Sequence, residues 1–273
     1  LAEQGVEVCE VFFNTWSELE EPILRRLLKI KDEYAIHVPA VHPFFSFAEH
    51  YLLFSEYERR FYDALDLFEK YFEAAQALGA KILIIHGAKA NTPVDDKLYF
   101  ERFAKLMERG KPYGVRVAQE NVVHYLSESP GFLAAMGEYI GDDFSVVLDI
   151  KQALRAGRCV NEYIETLPES IVHVHLSDYT PAKDCVPPGE GEFDFKQFFK
   201  RMEEIKYGGE YIVELYRHSF TDEKSPARSA DFLSKYLHKN MQIGTAQRLC
   251  FVLQLKIFML LFNQILLYYV ITA

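Results

Sequence analysis

The sequence has few cysteines, and their spacing indicates no structural role. Its four cysteines are far apart and form no CxxC pair: Cys9, Cys159, Cys185 and Cys250. Neither a disulfide framework nor a zinc ribbon is therefore predicted. A secretory signal is also lacking, since residue 1 is Leu and the first residues are polar and acidic. We expect a cytoplasmic protein, and the absent initiator Met predicts that the chain begins inside a longer product.

Basic residues are outnumbered by acidic ones. The chain has 30 Lys and Arg against 40 Asp and Glu, which gives a formal net charge of -10. The two arginine pairs, Arg25-Arg26 and Arg59-Arg60, lie beside glutamates in helical patterns and form no basic patch. An acidic surface repels nucleic acid, so we expect no nucleic-acid partner. Hydrophobic residues make up 49% of the 273 residues, which is enough for a large core.

Long apolar runs are also scarce, and the one at the C-terminus, Leu249–Ala273, is broken by polar residues. These are Gln254, Lys256, Asn263 and Gln264. The run is long enough to span a bilayer, but so many polar residues disfavour a membrane anchor. We favour a packed helix or an aberrant extension from a shifted reading frame. Residues 1–240 are predicted to form one domain, with 241–273 as an apolar extension outside it.

Strand and helix patterns alternate along the chain. Seven strands are predicted: Val6–Phe13, Tyr34–Val41, Lys81–His86, Val115–Val122, Phe144–Ile150, Ile171–Asp178 and Tyr211–Tyr216. Such alternation is typical of a parallel sheet, and the chain length is that of one TIM (β/α)₈ barrel. Seven strands are one short, and the opening LAEQG looks like the last turn of a helix. We therefore expect an α/β TIM barrel that lacks its first strand and most of its first helix. The alternative is an open, doubly wound sheet.

Polar residues cluster near the carboxyl ends of the predicted strands, where a barrel builds its active site. They are Glu10, His42, His86, Glu120, Asp149, His173, His175, Asp178 and Glu214. Buried charges need partners, so converging carboxylates and imidazoles predict one divalent metal ion: Mn²⁺, Mg²⁺, Co²⁺ or Zn²⁺. His175, nearer the strand end, is the better ligand candidate, and His173 is expected in a core layer. Lys151 is expected to point to the opposite face from Asp149 if the strand persists, as a surface or helix-start lysine.

Five ordered motifs carry a resemblance to a known family. AQENV, VVLDIKQALRAG, VHVHLSD, PGEGEFDF and YIVELYR together resemble the sugar phosphate isomerase/epimerase group of xylose isomerase-like TIM barrels. That superfamily also contains ketose 3-epimerases and the AP endonuclease family 2 enzymes. The resemblance runs from about Leu1 to Leu237. Because GVEVCEVF is similar to the second strand of the family, it agrees with the inferred truncation.

The resemblance implies specific roles. The metal ligands would be Glu120, Asp149, His175 and Glu214. The two glutamates would also be the catalytic acid/base pair, acting next to a carbonyl through a metal-stabilised enediolate. The residues expected to orient substrate are His42, His86, Gln152 and Arg217. The PGEGEFDF segment is predicted to form a loop over the site, where amides of Gly189 and Gly191 either approach an anion or form a plain turn.

The predicted function is that of a metal-dependent isomerase or epimerase acting on a ketose, sugar phosphate or related polyol. A dehydratase or lyase on an inositol-derived ketone would begin with the same proton abstraction and stays open. A DNA-repair hydrolase with three metals is disfavoured, because Gln152 stands where that branch needs a histidine and Asp184-Cys185-Val186 lacks another. A binding protein without activity is the remaining alternative. The expected partner is a small sugar or sugar phosphate, and homo-oligomer formation is left open.

Overall fold

The computed structural model describes residues 6–220, 224–237 and 249–252. The strands in this part of the chain are β1 (Cys9–Phe12), β2 (Ala40–His42), β3 (Ile82–Ile85), β4 (Arg116–Glu120), β5 (Val146–Asp149), β6 (Ile171–Leu176), β7 (Asp178–Thr180), β8 (Lys183–Val186), β9 (Glu210–Val213) and β10 (Leu249–Val252). The helices are α1 (Ile23–Glu33), α2 (Glu49–Leu52), α3 (Glu58–Leu78), α4 (Asp96–Gly110), α5 (Pro130–Ile140), α6 (Ile150–Arg155), α7 (Val160–Thr166), α8 (Phe195–Glu204) and α9 (Ser225–Leu237).

Eight of the strands form a closed barrel in the order β1-β10-β9-β6-β5-β4-β3-β2, with every neighbouring pair parallel. The remaining two, β7 and β8, form an antiparallel hairpin outside the barrel. Helices follow most barrel strands along the chain, as parallel connections require. The fold is therefore a TIM barrel, as predicted, and the open doubly wound alternative is wrong.

All seven predicted strands are present, and each is shorter than its apolar run. The eighth barrel position is filled by β10, which lies between β9 and β1. Leu249 pairs with Tyr211, and Cys9 pairs with Phe251. The expectation that 241–273 lies outside the barrel therefore fails for these four residues. The predicted domain boundary near residue 240 and the rest of the C-terminal run lie outside the described residues.

The long helix α3 shows how the sequence shapes the outer layer. Its buried positions include Phe61, Leu65, Phe68 and Phe72, whose three- and four-residue spacing places them on one face against the sheet. The helix ends where Gly79 adopts a left-handed conformation with φ of +79°, which glycine adopts without strain. Among the described residues, no helix is long and apolar enough to cross a membrane.

Side-chain alternation along the strands links the barrel core to the polar rim. Along six strands, a buried apolar residue belongs to one of two small apolar clusters that are separate from the main core. In each case a polar residue lies two positions after that apolar residue. The pairs are Val8 and Glu10, Ala40 and His42, Ile84 and His86, Ala118 and Glu120, Val147 and Asp149, and Ile212 and Glu214. Since residues two apart share a face of a strand, the polar residues form the next layer of the same inner face.

Candidate metal centre

Four predicted ligands meet at the carboxyl ends of four neighbouring strands. Glu120 and Asp149 end β4 and β5, His175 lies near the end of β6, and Glu214 follows β9 directly. One ligand atom from each of these residues lies within 4.8 Å of the others. We call Glu120, Asp149, His175 and Glu214 the quartet. The structure thus brings the four residues together, while their roles as ligands stay predictions.

The quartet is compact and shielded from water. Nδ1 of His175 lies 3.3 Å from Oε2 of Glu214, 3.4 Å from Oε1 of Glu120 and 3.9 Å from Oδ2 of Asp149. The Glu120, Asp149 and His175 residues are at most 2% exposed, and the Glu214 side chain is 17% exposed. Three carboxylates held this close in a buried place repel one another, and burial adds a desolvation cost. Such an arrangement requires positive charge.

Unsatisfied polar atoms of the quartet fit a cation. Oε2 of Glu120, Oδ2 of Asp149 and Nδ1 of His175 are buried and take part in no hydrogen bond. Nζ of Lys151 lies 3.1 Å from the Asp149 oxygen without hydrogen-bond geometry. Nε2 of His86 likewise lies 2.9 Å from the Glu120 oxygen. Buried polar atoms are nearly always hydrogen-bonded, so three such atoms at one point fit a further partner that binds lone pairs. Carboxylate oxygens with one imidazole nitrogen suit a first-row divalent ion or Mg²⁺. The residues present therefore fit the predicted metal ion.

Asp149 is fixed by contacts that leave one oxygen for the quartet. Its Oδ1 accepts a hydrogen bond from the backbone N–H of Gln152 at 3.0 Å and so caps α6. The Asn121 side chain donates to the Asp149 carbonyl at 3.0 Å and accepts from the Asp149 N–H at 2.6 Å. The asparagine of the predicted EN motif therefore joins β4 to β5 and holds two ligands in register.

Glu10 sets the orientation of His175. Its Oε2 accepts hydrogen bonds from Nε2 of His175 at 3.1 Å and from Nε2 of His173 at 2.9 Å. Both Nε2 atoms must carry hydrogen, because a carboxylate only accepts, and this leaves the Nδ1 lone pair of His175 directed at the quartet. Burial by itself raises the pKa of Glu10, but the two imidazoles outweigh it and lower the pKa to about 2. His173 is fully buried, as expected.

The predicted placement of Lys151 is wrong. Its Nζ lies 2.8 Å from Oε2 of Glu214 and 3.1 Å from Oδ2 of Asp149, and its side chain is 2% exposed. The strand ends at Asp149 and α6 begins at the next residue, so Lys151 lies at a helix start with its side chain on the Asp149 side. Burial alone lowers the pKa of Lys151, but the two carboxylates outweigh it and hold the pKa well above its ordinary value. The quartet therefore has a resident cation.

His42 and His86 lie beside Glu120, as expected for residues of this site. Nε2 of His86 is 2.9 Å from Oε2 of Glu120, though it makes no hydrogen bond there, and 3.0 Å from Nε2 of His42. Nδ1 of His42 lies 3.2 Å from the Pro43 carbonyl. If Nδ1 donates to that carbonyl, Nε2 of His42 accepts from His86. Burial lowers the pKa of His86, whereas Glu120 outweighs burial at His42 and raises its pKa.

The other two predicted substrate residues differ in position. Gln152 is mostly buried, and its Oε1 accepts from the backbone N–H of Val123 at 3.3 Å, so part of its side chain holds the loop after β4. Arg217 is exposed and donates to the Phe220 carbonyl at 3.2 Å. Within the described part of the chain, the cation that contacts the quartet is Lys151 and not Arg217. Substrate contacts of Gln152 and Arg217 stay predictions.

The PGEGEFDF segment is anchored by an internal carboxylate. Asp178 accepts four backbone hydrogen bonds, from Tyr179 and Phe193 at Oδ1 and from Gly189 and Gly191 at Oδ2. A Cβ on Gly191 would come within 2.3 Å of Oδ1 and 2.2 Å of the Tyr179 carbonyl. The two glycine amides therefore bind a carboxylate of the protein itself, and their approach to an external anion stays a prediction.

Sequence reasoning also missed Glu49, a fully buried residue of α2. Its Oε2 accepts from the Gly87 N–H at 2.7 Å, next to His86 in sequence, and its Oε1 is buried without a hydrogen bond. Burial is the main cause that raises the pKa of this carboxyl from 4.5 to about 8. A glutamate in the short AEHYLL stretch gives no sequence signal for such a position.

Solved structures with the same fold include several sugar-modifying enzymes. A D-tagatose 3-epimerase-like protein superposes with a TM-score of 0.72 at 21% identity, covering 85% of this chain and 89% of that chain. The IOLI protein, solved with a zinc atom, gives 0.71 at 18% identity over 86% of this chain and 91% of that chain. D-Psicose 3-epimerase with D-tagatose from Clostridium cellulolyticum H10 gives 0.71 at 15% identity, with the same coverage. At these identities the similarity establishes the fold.

Sequence comparison supplies the family. An uncharacterized protein of Methanocaldococcus jannaschii is 21% identical over 251 residues, which cover 87% of this chain and 82% of that protein. Residues 1–236 match the xylose isomerase-like TIM barrel family along nearly all of the described barrel. The resemblance drawn from the five motifs is thereby confirmed. The chain belongs to the xylose isomerase-like TIM barrel family.

Proposed function

We propose that the protein is a metal-dependent isomerase or epimerase of a ketose, sugar phosphate or related polyol. The observation that carries this proposal is the quartet, in which three buried polar atoms of Glu120, Asp149 and His175 have no hydrogen-bond partner. The quartet would hold one divalent ion, Mn²⁺, Mg²⁺, Co²⁺ or Zn²⁺. When bound, such an ion supplies Lewis acidity toward a carbonyl and an adjacent hydroxyl.

The two glutamates supply the proton transfers. Burial alone raises the pKa of both, but His86 and His175 at Glu120, and Lys151 and His175 at Glu214, outweigh it and hold both pKa values well below the ordinary range. Both carboxylates are therefore ionised at neutral pH and able to accept a proton. One glutamate removes the proton from the carbon beside the carbonyl. The other first takes a proton from solvent water and then returns it to the opposite face of that carbon.

The surroundings of the two glutamates differ, which suits a pair with different tasks. Glu120 lies against two imidazoles, His86 at 2.9 Å and His42 at 3.7 Å. Glu214 lies against the ammonium of Lys151 at 2.8 Å and is the more exposed of the two. His42 and His86 would orient substrate hydroxyls on the Glu120 side. Gln152 and Arg217 are proposed as further hydroxyl and anion contacts.

The structural neighbours support this chemistry. Two are, by their descriptions, a D-tagatose 3-epimerase-like protein and a D-psicose 3-epimerase with D-tagatose, and a third, IOLI, contains zinc.

The structure also bears on the nuclease alternative. Asp184 of the β7–β8 hairpin forms an ion pair with Arg155 of α6 at 2.5 Å, so its carboxylate is bound outside the quartet. With a net charge of -10, this favours a small substrate over DNA.

The test is proton exchange at carbon. The metal-loaded protein is incubated in D₂O with a panel of ketoses and keto-inositols, and NMR follows deuterium entry beside the carbonyl. We expect exchange with at least one compound, and a loss of roughly 100-fold or more in Glu120→Gln and Glu214→Gln. Glu18→Gln, which alters a buried carboxylate outside the quartet, is the control and should retain exchange.

The reaction product distinguishes an isomerase or epimerase from the dehydratase alternative. A new epimer or isomer supports the proposed function, whereas loss of water from a keto-inositol favours the dehydratase alternative. A folded, metal-loaded protein that exchanges no carbon-bound proton of any compound would contradict both.

A further inference from the structure

The ammonium group of Lys151 lies against two carboxylates of the quartet. We infer that Lys151 is the built-in counter-cation of this site, and that it limits the site to one divalent ion bound with moderated affinity. The inference rests on the metal site proposed above and not on the reaction. It concerns a residue that was expected on the opposite face from Asp149.

The contacts of the ammonium group carry the first step. Nζ lies 2.8 Å from Oε2 of Glu214 and 3.1 Å from Oδ2 of Asp149. Both carboxylates are proposed metal ligands, so the lysine and the ion would share them. Two cations that share carboxylates in a place shielded from water repel each other strongly. The lysine therefore lowers the affinity of the quartet for the ion.

Lys151 is also confined where it lies. Its side chain is 2% exposed, and the Tyr216 ring packs over Nζ with 4.8 Å from the nitrogen to the ring centroid. The hydroxyl of Tyr216 is itself held by Nη1 of Arg155 at 2.7 Å. With this ring over it and two carboxylates beside it, the ammonium has no open path into solvent. Its charge consequently stays next to the quartet when an ion binds.

Charge accounting gives the second part of the inference. The three carboxylates of the quartet carry three negative charges, and Lys151 neutralises one of them. The remaining two match one divalent ion, so the quartet, Lys151 and one such ion together carry no net charge. Glu10, bonded to the other nitrogen of His175, leaves one negative charge beside them. A second divalent ion on the same carboxylates would leave excess buried positive charge, which is costly. The lysine thus accounts for a site with one ion.

A purely structural role of Lys151 and a counter-cation role predict opposite changes in metal affinity when the lysine is replaced. If Lys151 only holds Glu214 and Asp149 in place, its loss weakens metal binding because the ligands are misplaced. If it acts as a counter-cation, its loss tightens metal binding because a repelling charge is gone. The sign of the change in affinity therefore separates the two roles.

The experiment measures Mn²⁺ and Zn²⁺ dissociation constants by competition with a chromophoric chelator at pH 8, together with thermal unfolding of metal-free and metal-loaded protein. The variants are Lys151→Met, which removes charge and hydrogen bonds, and Lys151→Gln, which removes the charge but can still donate to Glu214. Lys183→Met is the control, since it removes the same charge from an exposed lysine of the hairpin.

We expect both Lys151 variants to bind metal at least tenfold more tightly than wild type, and Lys183→Met to match wild type within about twofold. The metal-free Lys151 variants should unfold at lower temperature, and added metal should raise their midpoint by more than it raises that of wild type. A variant that folds only with metal present would support the inference equally.

Two results would overturn it. Folded Lys151 variants that bind metal no more tightly than wild type show that the lysine is structural, and variants that fail to fold even with metal show the same. A folded wild-type protein that binds neither Mn²⁺ nor Zn²⁺ removes the proposed metal site itself, and so is distinguishable from failure of this inference alone.

Discussion

Asp178 anchors the loop that follows the β7–β8 hairpin, and replacing it with asparagine should destabilise the protein measurably. One carboxylate accepts four backbone hydrogen bonds of 2.8 to 3.0 Å, two at each oxygen. The residue is 1% exposed, so water cannot replace these partners. The loop contains Gly189 and Gly191 and therefore has no side chains at these positions to hold it by packing.

The magnitude follows from the bonds that asparagine cannot make. Its carbonyl oxygen still accepts two hydrogen bonds, but its NH₂ group faces the other two backbone N–H groups, donor against donor. Hydrogen bonds to a charged group contribute about 1.5 to 3 kcal/mol each. Losing two of them predicts a decrease of about 3 to 6 kcal/mol in the free energy of unfolding for Asp178→Asn.

Urea unfolding followed by circular dichroism gives this free energy, and hydrogen exchange of the Gly189 and Gly191 amides reports the loop directly. Asp184→Asn is the matched control, because Asp184 is an exposed acid of the same hairpin whose one ion pair should contribute at most about 1 kcal/mol. A change below about 1 kcal/mol in Asp178→Asn, with unchanged protection of the two amides, would refute the anchoring role.

Two further predictions concern buried glutamates. Glu10→Gln should weaken metal binding roughly 10- to 100-fold, because the carboxylate that fixes the His175 tautomer is lost. A chelator competition assay measures the metal affinity. Unchanged affinity would contradict the positioning role of Glu10. For Glu49, the pKa is raised from 4.5 to about 8, so between these values the folded protein keeps a proton that the unfolded chain has released. Stability should therefore fall as pH rises from 4.5 to 8, by about 1.4 kcal/mol per pH unit and at most about 5 kcal/mol in all. In urea unfolding at pH 5 and pH 8, Glu49→Gln should remove this part of the pH dependence. Glu56→Gln, which changes an exposed glutamate, should leave it unchanged. Identical pH profiles of Glu49→Gln and wild type would refute the assignment to Glu49.

Most of the site could be predicted because its residues obey two simple rules. Parallel strands in a barrel bring their carboxyl ends to one rim, and residues two apart on a strand share a face. Glu120 and Asp149 each follow a buried apolar residue of the inner face by two positions, as Glu214 does. Reading the polar residues at the strand ends therefore gave nine candidates that include the quartet, and the family resemblance singled out its four members.

The expected placement of Lys151 was wrong because it ran against strand alternation itself. Residues two apart on a strand share a face, so that rule puts Lys151 on the side of Asp149. In the structure α6 begins at Ile150 and Asp149 caps it by accepting a hydrogen bond from the Gln152 N–H. The Lys151 side chain nevertheless lies against Asp149 and Glu214.

The barrel closure escaped prediction for a different reason. The LCFV segment of β10 is apolar throughout, a composition typical of strands in parallel sheets. In the sequence it opens a longer apolar run without a turn residue to end it, so its length suggested a helix or an anchor. Pairing with β9 and β1 is a long-range event that local pattern does not encode.

The metal content of the protein tests the central claim most directly. Elemental analysis of purified wild type, beside His175→Ala and Glu214→Gln, should find about one divalent ion per chain in wild type and little in the two variants. Close to three zinc ions per chain would instead favour a nuclease-type cluster. A folded wild-type protein without any bound divalent ion, even after incubation with Mn²⁺ or Zn²⁺, would contradict the account.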